Sequence, residues 1–141
     1  MTETQKQLVR SLLEEALGTD DATRTELAKS FYSELFSVAP GVRPLFLTKL
    51  SLQEEKFTQM LQMLHDSLGR LDNLVPVLWQ SGRNHKLYGA EDVHYPVVGE
   101  ALLHALEAKL GTERLTPEVR AAWKEFYNLV ALIMQEAAKE V

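Results

Sequence analysis

The feature that most constrains this chain is the spacing of its apolar residues, which recur every three or four positions along almost its whole length. That period belongs to an α-helix with one buried face, whereas the alternating β-branched runs typical of strands are missing. No repeat, low-complexity run or linker interrupts the pattern. The sequence therefore predicts an all-α fold, and its 141 residues suit a single domain, 1–141.

Glycine and proline divide the pattern into six predicted helices. A cap at Thr19 or Asp20 starts the second helix, and Ser51 with Glu54 predicts a capping box at the start of the third. A short segment at 42–46 contains a proline and is too interrupted for a long helix. The six helices are expected over about 4–17, 20–39, 51–69, 74–88, 95–110 and 116–139.

Composition excludes several classes of function. The formal net charge of −5 argues against the basic surface that replaces phosphate counterions, so no nucleic-acid partner is expected. The absence of cysteine excludes disulfides, thiolate metal sites and cysteine nucleophiles. No apolar stretch approaches the roughly 20 residues that cross a bilayer, and the sequence MTETQKQ at the amino terminus lacks a signal core. We therefore expect no membrane span and a cytoplasmic location.

Four histidines are the candidates for metal chemistry: His65, His85, His94 and His104. The H-E-x-x-H motif is absent. Only Glu91 and His94 have the Glu-x-x-His spacing that di-metal bundles use, and they lie in a predicted turn region. A glycine-rich phosphate loop and a nucleophile elbow are also missing, so neither a di-metal site nor a serine hydrolase is predicted.

His85 differs from the other histidines in its setting on the fourth predicted helix. The small residues Ser81 and Gly82 lie one turn before it, and small side chains there would let a flat ligand approach the helix closely. Alternatively, a protonated His85 would suit the helix end near Gly89, because the helix dipole favours positive charge there. Periodicity alone leaves both interpretations open.

An aromatic and polar set lies far from His85 in the sequence. Tyr32 lies beside an apolar stripe, Phe46 follows a proline turn, and Gln53 and Phe57 are about one helical turn apart. A tyrosine near a buried face needs a hydrogen-bond partner for its hydroxyl. On the residues alone, an ordinary boundary position for Tyr32 and a solvated first-turn position for Gln53 are the better interpretation.

Four segments together carry a resemblance: FYSELF at 31–36, VRPLF at 42–46, GRNH at 82–85 and HYPVVG at 94–99, with Trp123 and Tyr127 in the last helix. Over nearly the whole chain, the sequence resembles the bacterial single-domain haemoglobins, which are related to the globin half of flavohaemoglobins. The resemblance implies a globin fold with six main helices, short connecting helical turns and 3-over-3 packing. The interrupted stretch at 40–50 and the short fourth helix fit that packing better than a plain four-helix bundle.

The resemblance also implies a haem b cofactor. His85 matches the proximal histidine, the axial ligand of the haem iron, and we expect its other ring N–H to bond a carbonyl near Ser81. Tyr32 and Gln53 match the distal residues that stabilise dioxygen. The remaining matched positions are Phe46 against the haem face, Phe57 lining the pocket above the iron and Tyr95 on the proximal side.

Two departures from the family pattern bear on function. Flavohaemoglobins carry a glutamate that completes a proximal network with the histidine and tyrosine. That position falls near Ala138 here, and the nearest acid is Glu136, so a complete network is not predicted. The chain also has no flavin or nicotinamide domain, so we expect electrons to come from a separate reductase.

Three functions remain open on this resemblance. The first is reversible binding of dioxygen for storage, transport or delivery, with carbon monoxide, nitric oxide and sulfide as further small ligands. The second is nitric oxide dioxygenase, an enzyme that detoxifies nitric oxide at the same site. The third is a haemless globin-like sensor or interaction module. Tyr32, Gln53 and His85 argue against the third, because a haemless core would favour apolar residues at these positions.

Overall fold

A computed structural model describes all residues, 1–141, and contains six α-helices and no strand. A 3₁₀ turn at Pro40–Leu45 separates the second helix from the third, and another at Leu71–Asn73 precedes the fourth. The predicted all-α fold is confirmed. The helices are α1 (Glu3–Leu17), α2 (Asp21–Val38), α3 (Leu50–Asp66), α4 (Leu74–Leu87), α5 (His94–Leu110) and α6 (Pro117–Ala138).

Local chemistry explains where several of these helices begin and end. Asp20 caps α2 and Thr116 caps α6, each through a side-chain oxygen that accepts a backbone N–H three residues later. Helices α1 and α5 end at Gly18 and Gly111, whose φ angles of 62° and 92° favour glycine. These caps and stops act within a few residues, which is why the sequence pattern located them.

The capping box predicted at the start of α3 is wrong. The helix begins at Leu50, so Ser51 lies inside its first turn and no side chain caps the helix. Glu54, the other half of the predicted box, is buried instead. The preference of Ser51 for a cap position is outweighed by the burial of the α3 face that carries Glu54, Thr58, Leu61 and Leu64.

The helices pack in two layers of three, which confirms the predicted 3-over-3 arrangement: α1, α3 and α4 in one layer, and α2, α5 and α6 in the other. Contacts of α4 and α1 with α6, and of α2 with α3, join the layers. None of the six helices combines the length and apolar character that crossing a bilayer requires. The largest fully buried side chains include Trp123, Phe126, Leu12, Leu13, Leu27, Leu35, Leu78 and Leu106.

The layers approach closely where α4 crosses α6. A Cβ added to Gly82 would lie 2.2 Å from the carbonyl oxygen of Met134 and 2.6 Å from its Cα. Glycine at this position therefore lets the two helix backbones touch. The interpretation of Gly82 as clearance for a ligand is wrong, because the space beside it is filled by α6.

Candidate functional site

Helix α4 presents two neighbouring faces, and only one of them is packed against protein. Leu74, Leu78 and Gly82 are buried, whereas Val77 is 43% exposed and Tyr88 is 64% exposed. His85 lies with the exposed set. The sequence pattern predicts one face from Leu74, Val77, Leu78, Ser81, His85 and Tyr88. The structure divides it into a buried part, with Leu74 and Leu78, and an exposed part that carries His85.

His85 is the one histidine whose ring bonds only within its own helix. Its Nδ1 donates to the backbone carbonyl oxygen of Ser81, 2.7 Å away, as the one-turn spacing predicts. A carbonyl can only accept, so Nδ1 carries the proton and Nε2 of the neutral ring keeps its lone pair. No protein group forms a hydrogen bond or salt bridge with that Nε2.

The other three histidines have partners elsewhere on the chain. His65 lies between the carboxylates of Glu14 and Asp66, at 2.9 and 2.8 Å. Nδ1 of His94 accepts the backbone N–H of Glu91, and His104 lies 3.3 Å from the carboxylate of Glu34. No group of three or more histidine, cysteine, aspartate or glutamate side chains is placed to hold a metal ion.

Tyr32 is buried in α2, and its hydroxyl donates to the backbone carbonyl oxygen of Gln53, 3.2 Å away on α3. Burial, and then the negative charge of Glu54, raise the pKa of Tyr32 well above its ordinary value of 10.0. The hydroxyl therefore stays protonated at neutral pH. This hydroxyl is a hydrogen-bond donor that already contacts α3, the helix that carries Gln53.

The side chain of Gln53 is half-buried and has a defined partner in the segment before α3. Its amide Nε2 donates to the hydroxyl of Thr48. Tyr32 and Gln53 thus lie together, but through the backbone of Gln53 rather than through its amide. To donate to a ligand, the amide of Gln53 must first break its hydrogen bond to Thr48.

Phe46 and Phe57 complete an aromatic cluster around Tyr32. Phe46 meets the Tyr32 ring edge-on, with centroids 5.5 Å apart. Phe57 stacks on Phe31 at 4.4 Å with an angle of 8° between the rings, and it meets Tyr32 at 5.9 Å. The structure therefore brings four of the six predicted site residues into one cluster between α2, α3 and the turn that joins them.

The turn that carries Phe46 also approaches the end of the helix that carries His85. A Cβ added to Gly89, four residues after His85, would lie 3.0 Å from Cδ2 of Leu45. Gly89 has φ of 102°, a conformation that favours glycine, and Leu45 directly precedes Phe46. The aromatic cluster and α4 are thus neighbours at this corner of the fold.

Tyr95 lies in the first turn of α5, where it is partly buried. Burial, followed by the charge of Asp92, raises its pKa. Its backbone carbonyl accepts the hydroxyl of Tyr127 at 2.6 Å. Glu136 pairs instead with Lys139 at the protein surface, so neither this acid nor Ala138 supplies a carboxylate beside Tyr95.

The burial of Glu54 is not predicted by the apolar spacing of the sequence. Glu54 is 6% exposed, although acidic side chains are rarely buried. A signal was present: counting back from the buried Leu61 by three and then four residues reaches Thr58 and Glu54, which share its face. The sequence pattern predicts an apolar stripe of Phe57, Met60, Leu61, Leu64 and Leu68 for the third helix; the structure buries the three leucines but leaves Phe57 and Met60 only partly buried.

The fold is all-α, and His85 lies on an exposed face of α4 with its Nε2 free of protein partners. The chain matches the Globin family over residues 29–134, and it belongs to the globin family. A flavohemoprotein of Bacillus subtilis is 30% identical over 104 residues, which are 72% of this chain and 26% of the relative. The chain thus spans about a quarter of the length of such relatives.

Two other relatives match this chain over most of their own length. Neuroglobin-1 of Oncorhynchus mykiss is 28% identical and is covered to 90%, with 95% of this chain matched. A globin-like protein of Aquifex aeolicus is 31% identical, with 76% of this chain and 75% of the relative covered. The resemblance drawn from the sequence motifs is therefore confirmed.

Solved structures agree on the fold. An engineered carbene transferase from Rhodothermus marinus superposes with a TM-score of 0.85 at 25% identity, covering 99% of this chain and 94% of its own. A bacterial globin from Campylobacter jejuni gives a TM-score of 0.81 at 21% identity, covering 99% of this chain and 97% of its own.

Membership of the globin family implies haem binding, and the residues present fit a haem. An imidazole Nε2 with a lone pair is an ordinary axial donor to haem iron. Val77 and Tyr88 beside His85 are apolar or amphipathic and exposed, which suits contact with a flat apolar ring. The bond from His85 to Ser81 supplies the orienting contact that metal-binding histidines usually have.

Proposed function

We propose that this chain binds haem b through Nε2 of His85 and holds dioxygen reversibly, for oxygen storage, transport or delivery. When bound, haem would supply an iron atom that accepts a donor from the protein and can bind a small ligand. The chain's own residues supply the donor, its orientation, the apolar walls and the polar groups that would contact the ligand.

One observation carries the proposal: the ring of His85 is oriented by its own helix and has no partner outside it. The bond from Nδ1 to the Ser81 carbonyl holds the imidazole in the tautomer that keeps Nε2 basic. Of the other histidines, His65 has both ring nitrogens beside carboxylates, and the rings of His94 and His104 face the acidic side chains of Glu91 and Glu34, whereas the ring of His85 contacts no acidic side chain. His85 is therefore the histidine best prepared to donate to a metal.

We propose that Tyr32 and Gln53 are the groups that contact the ligand, on the side of the haem away from His85. A ligand that gains negative charge when it binds would accept a hydrogen bond from the hydroxyl of Tyr32, whose raised pKa keeps it protonated. The bond it would replace, to the carbonyl of Gln53, is 3.2 Å long and so is readily exchanged. Phe46 and Phe57 would exclude water, and Tyr95 would lie on the side of His85.

An absorption spectrum of the ferric, ferrous and oxygenated protein tests the cofactor assignment. We expect a Soret band in the wild type, its loss or weakening in His85→Gly, and its recovery when free imidazole replaces the missing ring. His104→Gly is the matched control, since His104 is exposed and lies on another helix. A colourless wild-type protein that ignores added haemin would refute the proposal.

The dissociation rate of dioxygen tests the distal assignment. A hydrogen bond to a charged group contributes about 1.5–3 kcal/mol, so Tyr32→Phe should speed release by roughly ten- to a hundred-fold. Tyr88→Phe is the control, because Tyr88 is exposed and its hydroxyl forms no hydrogen bond with the protein. A release rate that Tyr32→Phe leaves unchanged would remove Tyr32 from the ligand pocket.

Nitric oxide dioxygenase activity is the second candidate, because the relatives include flavohemoproteins and the Rhodothermus marinus protein carries the description "putative nitric oxide dioxygenase". This activity would need a separate reductase to restore the ferrous state after each turnover. Mixing the oxygenated protein with nitric oxide, then measuring repeated nitrate formation with cell extract, separates the two functions. A single turnover without regeneration would favour oxygen binding alone.

The cytoplasmic location and the binding of carbon monoxide and sulfide stay predictions.

A further inference from the structure

Glu54 is a buried carboxylate that the roles proposed above leave unexplained. It directly follows Gln53 in α3 and is 6% exposed. Its Oε1 lies 3.5 Å from Nζ of Lys29 on α2, but its Oε2 is buried without a hydrogen-bond partner. Buried polar atoms are nearly always partnered, because their desolvation otherwise destabilises the fold. Fold stability alone therefore gives no reason for a carboxylate at this position.

The negative charge of Glu54 is only weakly compensated. The side chain of Lys29 is 65% exposed, so water and salt screen its charge, whereas the carboxylate is enclosed by protein. Arg43 is a second cation near the aromatic cluster. It lies 4.7 Å from the ring centroid of Phe36, which packs on Tyr32 and Phe46, and it is also exposed. Enclosed charges act over longer distances than exposed ones. The field at the contact between α2 and α3 is therefore negative.

The field of Glu54 reaches the residue proposed to contact the ligand. After burial, the charge of Glu54 is the second cause of the raised pKa of Tyr32. The two residues are also linked through the chain, because Tyr32 donates to the carbonyl of Gln53, the residue before Glu54. The carboxylate thus lies beside the distal pair, Tyr32 and Gln53, and its charge acts on Tyr32 through space.

We propose that Glu54 is a specificity-determining residue of the distal side, whose buried charge disfavours anionic ligands relative to neutral ones. This inference rests on the proposed function, because it concerns ligands of the haem pocket. A ligand that stays uncharged when bound, such as carbon monoxide, interacts little with the field, whereas an anion is repelled. At an effective dielectric constant of about 20, two like charges roughly 10 Å apart repel enough to weaken binding about tenfold.

Azide, an anion, and carbon monoxide, a neutral molecule, are the probes that separate charge from shape. Azide is titrated into the ferric haem-loaded protein and carbon monoxide into the ferrous form, with each dissociation constant read from the absorption spectrum. We expect Glu54→Gln to tighten azide binding about tenfold and to change carbon monoxide binding less than twofold. Glu55→Gln, on the same helix but exposed, should leave both constants unchanged. Glu54→Asp keeps the charge and should retain weak azide binding.

Lys29→Gln gives a converse test that does not depend on whether Glu54→Gln folds. Removing the compensating cation should weaken azide binding by about twofold or more while carbon monoxide binding stays the same. Azide binding that is unchanged or tighter in Lys29→Gln contradicts the inference. So does equal azide affinity in Glu54→Gln and wild type, or a parallel change in both ligands, which would indicate an altered pocket shape.

The two proposals fail in different ways. A wild-type protein without a Soret band refutes the haem assignment and this inference with it. A normal Soret band and slow dioxygen release, combined with azide constants that do not respond to Glu54 or Lys29, overturn only the role of Glu54.

Discussion

Replacing Gly82 by alanine should destabilise the protein, although alanine is the better helix former. In an open helix, this substitution would stabilise by about 1 kcal/mol. Here the new Cβ would lie 2.2 Å from the carbonyl oxygen of Met134, whereas ordinary contacts begin at 3.4 Å. The obstacle is backbone rather than a flexible side chain, so α4 and α6 must separate by about 1 Å.

That separation determines the size of the effect. A gap of about 1 Å removes up to half of the dispersion attraction across an interface, and Leu74 and Leu78 pack on the same side of α4 as Gly82. Overpacking usually costs about 1–3 kcal/mol. With the lost contacts added and the helix propensity subtracted, we expect a net loss of about 2–4 kcal/mol in the free energy of unfolding.

Urea unfolding followed by circular dichroism at 222 nm measures this loss. With an m-value of about 1–3 kcal/mol per molar urea, the midpoint should fall by roughly 1–2 M at an unchanged slope. Gly41→Ala is the matched control, because nothing lies within 4 Å of the Cβ it would add. If Gly82→Ala proved as stable as wild type, the close contact of the two helix backbones would be refuted. Because His85 is three residues away on α4, haem retention should fall with stability.

Two further predictions concern pH and the distal pocket. Burial opposes the charged form of His65, but the carboxylates of Asp66 and Glu14 outweigh it and raise the pKa of His65 above 6.5. A raised folded-state pKa gives stability that is present below pH 6.5 and lost as the pH rises through the folded value. His65→Gln should therefore lower the free energy of unfolding by about 0.5–1 kcal/mol at pH 5.5 and by much less at pH 9; equal losses at both pH values would contradict the ion pairs. Phe57→Leu removes the ring stacked on Phe31 and should cost about 1–2 kcal/mol. It should also speed the association of carbon monoxide after flash photolysis, and an unchanged association rate would show that Phe57 does not line the ligand path.

The structure agrees with the sequence most closely where interactions are local. Helix positions followed from the three-and-four spacing, the cap at Asp20 and the stop at Gly18, all of which act within a few residues. The bond from His85 to the Ser81 carbonyl was predictable for the same reason, because one helical turn separates the two. The family motifs also predicted the fold and the set of candidate site residues.

The sequence by itself determined the six helices, the family and the identity of the candidate histidine, because periodicity, caps and motifs are written along the chain. Only the tertiary structure decided which neighbour each face meets. It showed that Gly82 makes room for α6 rather than for a ligand, and that Glu54 lies buried instead of capping α3. Both outcomes depend on distances between residues far apart in sequence, and helical spacing alone carries no information on how two helices approach each other.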